Sequence, residues 1–197
     1  MHEPEKQNSV LIAEANKILR GYELLRILEK YGTPFVTGSY ALKLMTRRDL
    51  DINLNTAGIT EKRFFQMGGE ITSALKPRRV DFLNEFVHRH PRLPLGLYFG
   101  ITTAILGVAH EWNIDIWALD AEQVRRNKKA IAELQSAIDD NKRALILEIK
   151  SRSLEHPGYQ HSFFSMDIYK AVITDGLTTA DEFFQWVEDN RNTDLTI

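Results

Sequence analysis

The sequence contains no cysteine among its 197 residues. That excludes disulfides, thiolate metal sites and cysteine nucleophiles together, and it suits a cytoplasmic protein. A charge excess of either sign is also missing: 25 Lys and Arg stand against 27 Asp and Glu, a net charge of −2. No basic field advertises nucleic acid, so nucleic acid is not an expected partner, and no acidic bias points to disorder. No apolar run approaches the ~18 residues of a membrane span, and no membrane is expected either. The segment MHEPEKQNS is charged and lacks the apolar core of a signal peptide. Repeats and low-complexity tracts are absent. What remains is an ordinary globular composition, 43% hydrophobic and 26% charged, on a chain long enough to bury a sizeable core.

Periodicity divides the chain in two. Leu11, Ala15, Ile18, Tyr22, Leu25 and Leu28 recur at spacings of three and four, which predicts one amphipathic helix over about Asn8–Tyr31, stopped by Gly32 and Pro34. PFVTG reads as a short strand and SYALKLM as a helical stretch with Ser39 at its start. Thr60 is placed to cap a helix running to about Ser73. Residues 76–95, which include RRVDFLNEFVHRHPRLP, read as one more helix bounded by prolines. GLYFGITTAILG and WNIDIWAL read as strands, joined by a hairpin loop at Gly107–Glu111. From Asp120 onward the pattern is helical, divided at Asp139–Asn141 and at HPG, His156–Gly158. Thr179 and Glu182 form a capping box ahead of the last helix. The expected organisation is an α/β domain over 1–120 and a helical region over 121–197.

The chemistry concentrates in VTGSYALKLMTRRDLDINL, Val36–Leu54. In DLDINL, Leu50, Ile52 and Leu54 alternate with Asp49, Asp51 and Asn53, so on a strand both carboxylates point to one side. Like charges this close repel, most strongly away from water, and a divalent cation bound by oxygen ligands relieves the repulsion. Asp115 stands alone between Ile114 and Ile116 in a largely apolar strand, a costly position unless it is paired or ligates metal. If the two strands are neighbours, three carboxylates converge in the manner of a two-metal phosphoryl-transfer site. Gly38 and Ser39 at a helix start suit phosphate, and Lys43, Arg47 and Arg48 add positive charge nearby.

An apolar residue, Gly-Ser, about ten residues, Asp-x-Asp between apolar residues and a third Asp on a later strand: this pattern resembles the signature of the polymerase-beta-like nucleotidyltransferase superfamily. The resemblance covers roughly Pro34–Leu119. It implies an α+β fold, a small mixed sheet flanked by helices, followed here by a C-terminal helical region. It implies dependence on Mg²⁺, with two ions, and transfer of a nucleoside monophosphate from a nucleoside triphosphate, with ATP the expected donor. On the small antibiotic-modifying members, the acceptor is a hydroxyl of a small molecule. Carried over, Gly38 and Ser39 would hold the terminal phosphates, with Lys43 and Arg48 completing the nucleotide-binding set. Asp49 and Asp51 would bind both metals, and Asp115 would bind the catalytic metal and accept the proton of the attacking hydroxyl. Two departures stand out: Arg48 occupies a place where many members have Ser, and Lys43 one where many small members have Gly or another small residue. A protein or RNA acceptor, and a non-catalytic nucleotide-binding module on the same fold, stay open.

Plainer readings apply to each feature. Asp-x-Asp is common on solvated edge strands, Ser39 can be a simple helix cap, and Asp115 can pair with an arginine such as Arg79. His88 and His90 would not share a helix face, and HEWNID lacks the second His of a zinc-protease helix. RRNKK, Arg125–Lys129, reads as a solvated helix face. Tyr159, His161, Tyr169 and Lys170 fall where an acceptor would lodge, by position alone; Phe163, Phe164, Phe183, Phe184 and Trp186 read as core.

Overall fold

The computed structural model describes residues 2–56, 58–107 and 111–189. Its centre is a five-stranded mixed sheet built from β1 (Thr33–Val36), β2 (Asp49–Asn55), β3 (Arg79–Asn84), β4 (Leu97–Thr103) and β5 (Trp112–Leu119), in the order β1-β2-β5-β4-β3. β2 and β5 run parallel, and the other neighbours are antiparallel. The fold is therefore α+β, a mixed sheet flanked by helices, as the sequence predicts.

The alternation in β2 sets the layers. Leu50, Ile52 and Leu54 are fully buried and pack with Ile114, Ile116, Phe64, Phe99 and Trp112. Each such side chain contributes about 1.5–3 kcal/mol by leaving water. This face is covered by α1 (Glu3–Asn16), a π-helical turn (Lys17–Gly21), α2 (Leu24–Glu29) and α4 (Glu61–Leu75). The opposite face of β2, with Asp49, Asp51 and Asn53, looks into a cleft. The helices α5 (Ala121–Ala137), α6 (Asp140–Ser153), α7 (Ser165–Ile173) and α8 (Ala180–Asp189) follow β5. They bury a second cluster that includes Ile146, Ile149, Phe163, Ile168 and Phe183. Leu42, from the short helix α3 (Gly38–Leu42), and Leu44 belong to this second cluster, so the Gly-Ser segment is held from the helical side.

Caps fall where polar residues stand. Thr60 Oγ1 accepts from Arg63 N at the start of α4, and Asp120 and Asp139 accept from Gln123 N and Lys142 N at α5 and α6. Thr179 and Glu182 exchange the two hydrogen bonds of a capping box.

Three expectations are corrected. The first helix begins at Glu3, five residues early, because the Glu5 carboxylate accepts from His2 N at 2.7 Å. It also breaks before Tyr31: Glu23 adopts a left-handed conformation with φ 58°, so the apolar spacing runs on across a bend it does not register. Arg79–Asn84 is an edge strand and not part of a helix. Its Phe82 reaches Phe64, Phe65 and Phe99, while Val80 and Leu83 stay exposed, so outward apolar residues hid the alternation. Phe164, expected in the core, is 42% exposed. Most of the Gly107–Glu111 loop lies outside the described residues.

Candidate active site

The parallel pairing of β2 with β5 places Asp51 directly beside Asp115, with Asp49 beside Asn113. Strand alternation turns all three aspartates to the face away from the apolar core. Asp49 and Asp51 line a cleft of about 320 Å³ together with Gly38, Ser39, Lys150 and Tyr169. Asp115 lines an adjoining hollow of about 320 Å³ with Asp81, Tyr98 and Asn113. Arg47 and Asp49 border both spaces.

Gly38 is required twice over. Its φ is +60°, a conformation costly for any residue with a Cβ. A Cβ at this position would also stand 2.0 Å from Asp51 Oδ2. The backbone therefore passes against the carboxylate itself, and Thr37 N donates to Asp51 O at 2.9 Å to hold the two segments together. Ser39 lines the cleft; the N-cap of α3 is Thr37, so Ser39 is not the cap.

Electrostatics mark Asp51 as the strained member. Burial, then the neighbouring charges of Asp49 and Asp115, push its carboxyl up to about 7, while Arg47 and Lys150 pull the other way. Asp115 is also raised, mainly by burial and by Asp49; the Tyr98 hydroxyl, donating at 2.7 Å, favours its ionised form. Lys150 is buried on α6, with its ammonium donating to Leu44 O at 2.6 Å and to Tyr169 Oη at 3.3 Å. Burial and Arg47 lower it to about 8, and Asp49 and Asp51 hold it up. Thr46 Oγ1 is buried without a hydrogen-bond partner among the described residues, and Thr46 lines the same cleft.

Hard oxygen donors, excess negative charge and an orphaned hydroxyl fit a divalent ion such as Mg²⁺ at Asp49 and Asp51. Among the described residues no three acidic or imidazole side chains already converge as a metal cluster. Arg47 donates to Asp49 Oδ2 at 2.8 Å and Tyr98 donates to Asp115 Oδ1 at 2.7 Å. Each carboxylate retains further lone pairs, so neither contact removes it as a ligand.

Two expected nucleotide-binding residues lie elsewhere. Arg48 makes a two-pronged pair with Glu14, at 2.8 and 3.1 Å, and Trp112 Nε1 donates to the same carboxylate at 3.3 Å. It ties β2 to α1 and does not line the cleft. Lys43 is exposed and left-handed, with φ 56°, at the end of α3, where it terminates the helix. Asp115 is not paired with Arg79, which binds Asp81. Of the aromatic and basic residues placed near an acceptor by position, Tyr159 and Tyr169 line the cleft, whereas His161 and Lys170 are exposed.

Sequence reading passed over Lys150, Thr46 and Tyr98. Lys150 carried a usable signal: it follows Ile146, Leu147 and Ile149 on the buried side of α6, and a lysine there needs a reason. Tyr98 shares the alternation of Gly100 and Thr102, which betrays nothing without the neighbouring strand.

No protein-family model and no curated protein matches the sequence. Solved structures do match in fold. A cytoplasmic RNA terminal U-transferase aligns over 87% of this chain and 51% of its own, with TM-score 0.52 and 16% identity. The Cid1 poly(U) polymerase with Mg and 3′-dATP bound aligns over 73% and 41%, with TM-score 0.50 and 14% identity. The non-canonical poly(A) polymerase of the GLD-2–GLD-3 complex aligns over 100% and 67%, with TM-score 0.50 and 15% identity. The chain thus spans about half, or less, of the first two structures it resembles. The likeness is one of fold: the chain shares its fold with these structures, members of the nucleotidyltransferase fold that the sequence pattern resembles.

Proposed function

We propose that this protein is a Mg²⁺-dependent nucleotidyltransferase that moves a nucleoside monophosphate, with ATP as donor, to a hydroxyl of a small-molecule acceptor. The observation that carries the reading is the register of Asp51 against Asp115, with Asp49 on the same face and Gly38 pressed on Asp51. Asp49, Asp51 and Asp115 would hold the metal, which when bound would neutralise charge on the triphosphate. Gly38 and Ser39 supply backbone and hydroxyl groups on the donor side, and Lys150 and Arg47 supply positive charge there. Asp115, which lines the adjoining hollow, would accept a proton from an attacking hydroxyl on the other side. Buried polar groups fixed by β2, β5 and α6 need little reorganisation, which favours catalysis by positioning and charge. The Cid1 structure of the same fold holds Mg and 3′-dATP, which supports Mg²⁺ and a nucleoside triphosphate as ligands.

The acceptor side favours a hydroxylated or cationic small molecule. Its hollow contains Asp49, Asp81 and Asp115 against Arg47, with Arg79 paired to Asp81, a net negative setting that suits a polyanion poorly. A second reading, an RNA acceptor, draws on the RNA-directed names of the similar structures. Incubation with labelled triphosphates, Mg²⁺ and a panel of aminoglycosides, lincosamides, proteins and tRNA separates the readings. Label is expected in the small-molecule fraction; label on tRNA or on an added protein replaces the acceptor, and no label on anything leaves a non-catalytic module.

A further inference from the structure

Resting on the nucleotidyltransferase reading, we propose that Tyr98 is an internal acceptor, so that the protein nucleotidylates its own phenol. Four observations converge on it. Tyr98 Oη donates to Asp115 Oδ1 at 2.7 Å, within reach for proton transfer as a bond to phosphorus forms, although burial and this same carboxylate raise the resting phenol above its ordinary value. Among the described residues no other hydroxyl is hydrogen-bonded to Asp49, Asp51 or Asp115.

The phenol is also held. Its ring leans on Trp117 with centroids 4.8 Å apart, and Gly100 leaves it room: a Cβ at 100 would meet Oη at 2.4 Å. Trp117 itself lines the Gly38 cleft, so the ring is anchored to its wall. Tyr98 sits on β4, paired on both sides in the sheet, and strand placement removes most of the orientational freedom an attacking group would otherwise lose. Finally, the hollow that Tyr98 lines shares Arg47 and Asp49 with the donor cleft, so a nucleotide bound over Asp49 would border the space that holds the phenol.

The step balances without another reactant. Tyr98 Oη forms a bond to the α-phosphorus as the bond from that phosphorus to the bridging oxygen breaks. The electron pair leaves with pyrophosphate and the phenolic proton passes to the Asp115 carboxylate. The product is a tyrosyl phosphodiester in the hollow that Tyr98 and Asp115 line.

The full chain, incubated with ATP and Mg²⁺, is read by intact mass and peptide mapping, beside its thermal shift with the same ligands. The expected result is one nucleotidyl group per chain, on Tyr98, missing in Tyr98→Phe and in Asp51→Asn. A thermal shift that requires Mg²⁺, with Tyr98 unmodified or another residue carrying the group, overturns this inference and leaves the nucleotidyltransferase reading in place. Neither shift nor label overturns both. A second readout needs no turnover: acetylation of Tyr98 by N-acetylimidazole, followed by peptide mapping, with the non-transferable α,β-methylene analogue of ATP. Severalfold protection of Tyr98 is expected, and an unchanged rate contradicts the placement of the phenol beside the α-phosphate.

Discussion

Asp51 Oδ2 lies against the α-carbon of Gly38, so close that a methyl group at 38 would stand 2.0 Å from it. The Gly-Ser segment and the Asp-x-Asp strand are thereby one structure, and a side chain at 38 must displace the carboxylate. Gly38→Ala is expected to cost at least ~2 kcal/mol, from the left-handed φ and the overlap together. In a domain of this size that lowers the melting temperature by roughly 4–8 °C. Mg²⁺-dependent nucleotide stabilisation should disappear as well, and calorimetric melts with and without ligand check both effects.

Asp51 gives a pH dependence with a definite sign. Its carboxyl titrates near 7 in the folded chain against 3.8 for the ordinary group, so between about pH 4 and 7 the folded state holds a proton that the unfolded state has lost. Its contribution to stability is therefore greatest below pH 4, falls as pH rises to 7, and is flat above. Asp51→Asn keeps the shape and removes the charge. In EDTA at pH 8 it should be more stable than the wild type by about 1–3 kcal/mol, with the difference vanishing near pH 4. Denaturant titrations at both pH values measure it, and the same variant should transfer no nucleotide.

Arg48 and Lys43 should behave as structural residues. Arg48→Met leaves Glu14 without its bidentate partner beside Trp112 and should cost about 1–3 kcal/mol. Lys43→Gly relieves a left-handed lysine and should add up to ~1 kcal/mol. Neither is expected to change nucleotide affinity by more than about twofold in isothermal titration, far below the tenfold that ~1.4 kcal/mol of lost phosphate contact would produce.

Lys150 should behave in the opposite way. Its charge is buried beside Asp49 and Asp51 and its ammonium reaches toward the cleft through Leu44 O and Tyr169. Lys150→Met should weaken nucleotide binding at least tenfold, about 1.4 kcal/mol. Isothermal titration with ATP and Mg²⁺ gives the number, and a circular dichroism melt verifies the fold.

Much of this site was legible because it obeys short-range rules. The period of two in DLDINL turns Asp49 and Asp51 to one side whatever the sheet order, and apolar neighbours mark Asp115 as out of place wherever its strand lies. The positive φ of Gly38 follows from a residue type that tolerates it. What escaped depends on contacts between distant segments. Arg48 looks like a phosphate ligand until Glu14, 34 positions away, takes its guanidinium. Lys150 reaches the cleft only because α6 packs Leu147 and Ile149 with Leu42 and Leu44. Arg79–Asn84 failed as a helix because an edge strand carries both faces half in water, and its pattern fades accordingly.

If Asp49, Asp51 and Asp115 form a cation-dependent nucleotide site, metal and nucleotide stabilise the fold together. The most direct measurement is the melting temperature of the wild-type protein with ATP and Mg²⁺ together, set against each alone. Ligand at a hundred times its dissociation constant stabilises by about 2.7 kcal/mol, roughly 5–11 °C here. A rise of that order with both, and little with either alone, is the predicted result. The same melting temperature under all conditions, at saturating millimolar ATP, would contradict the account.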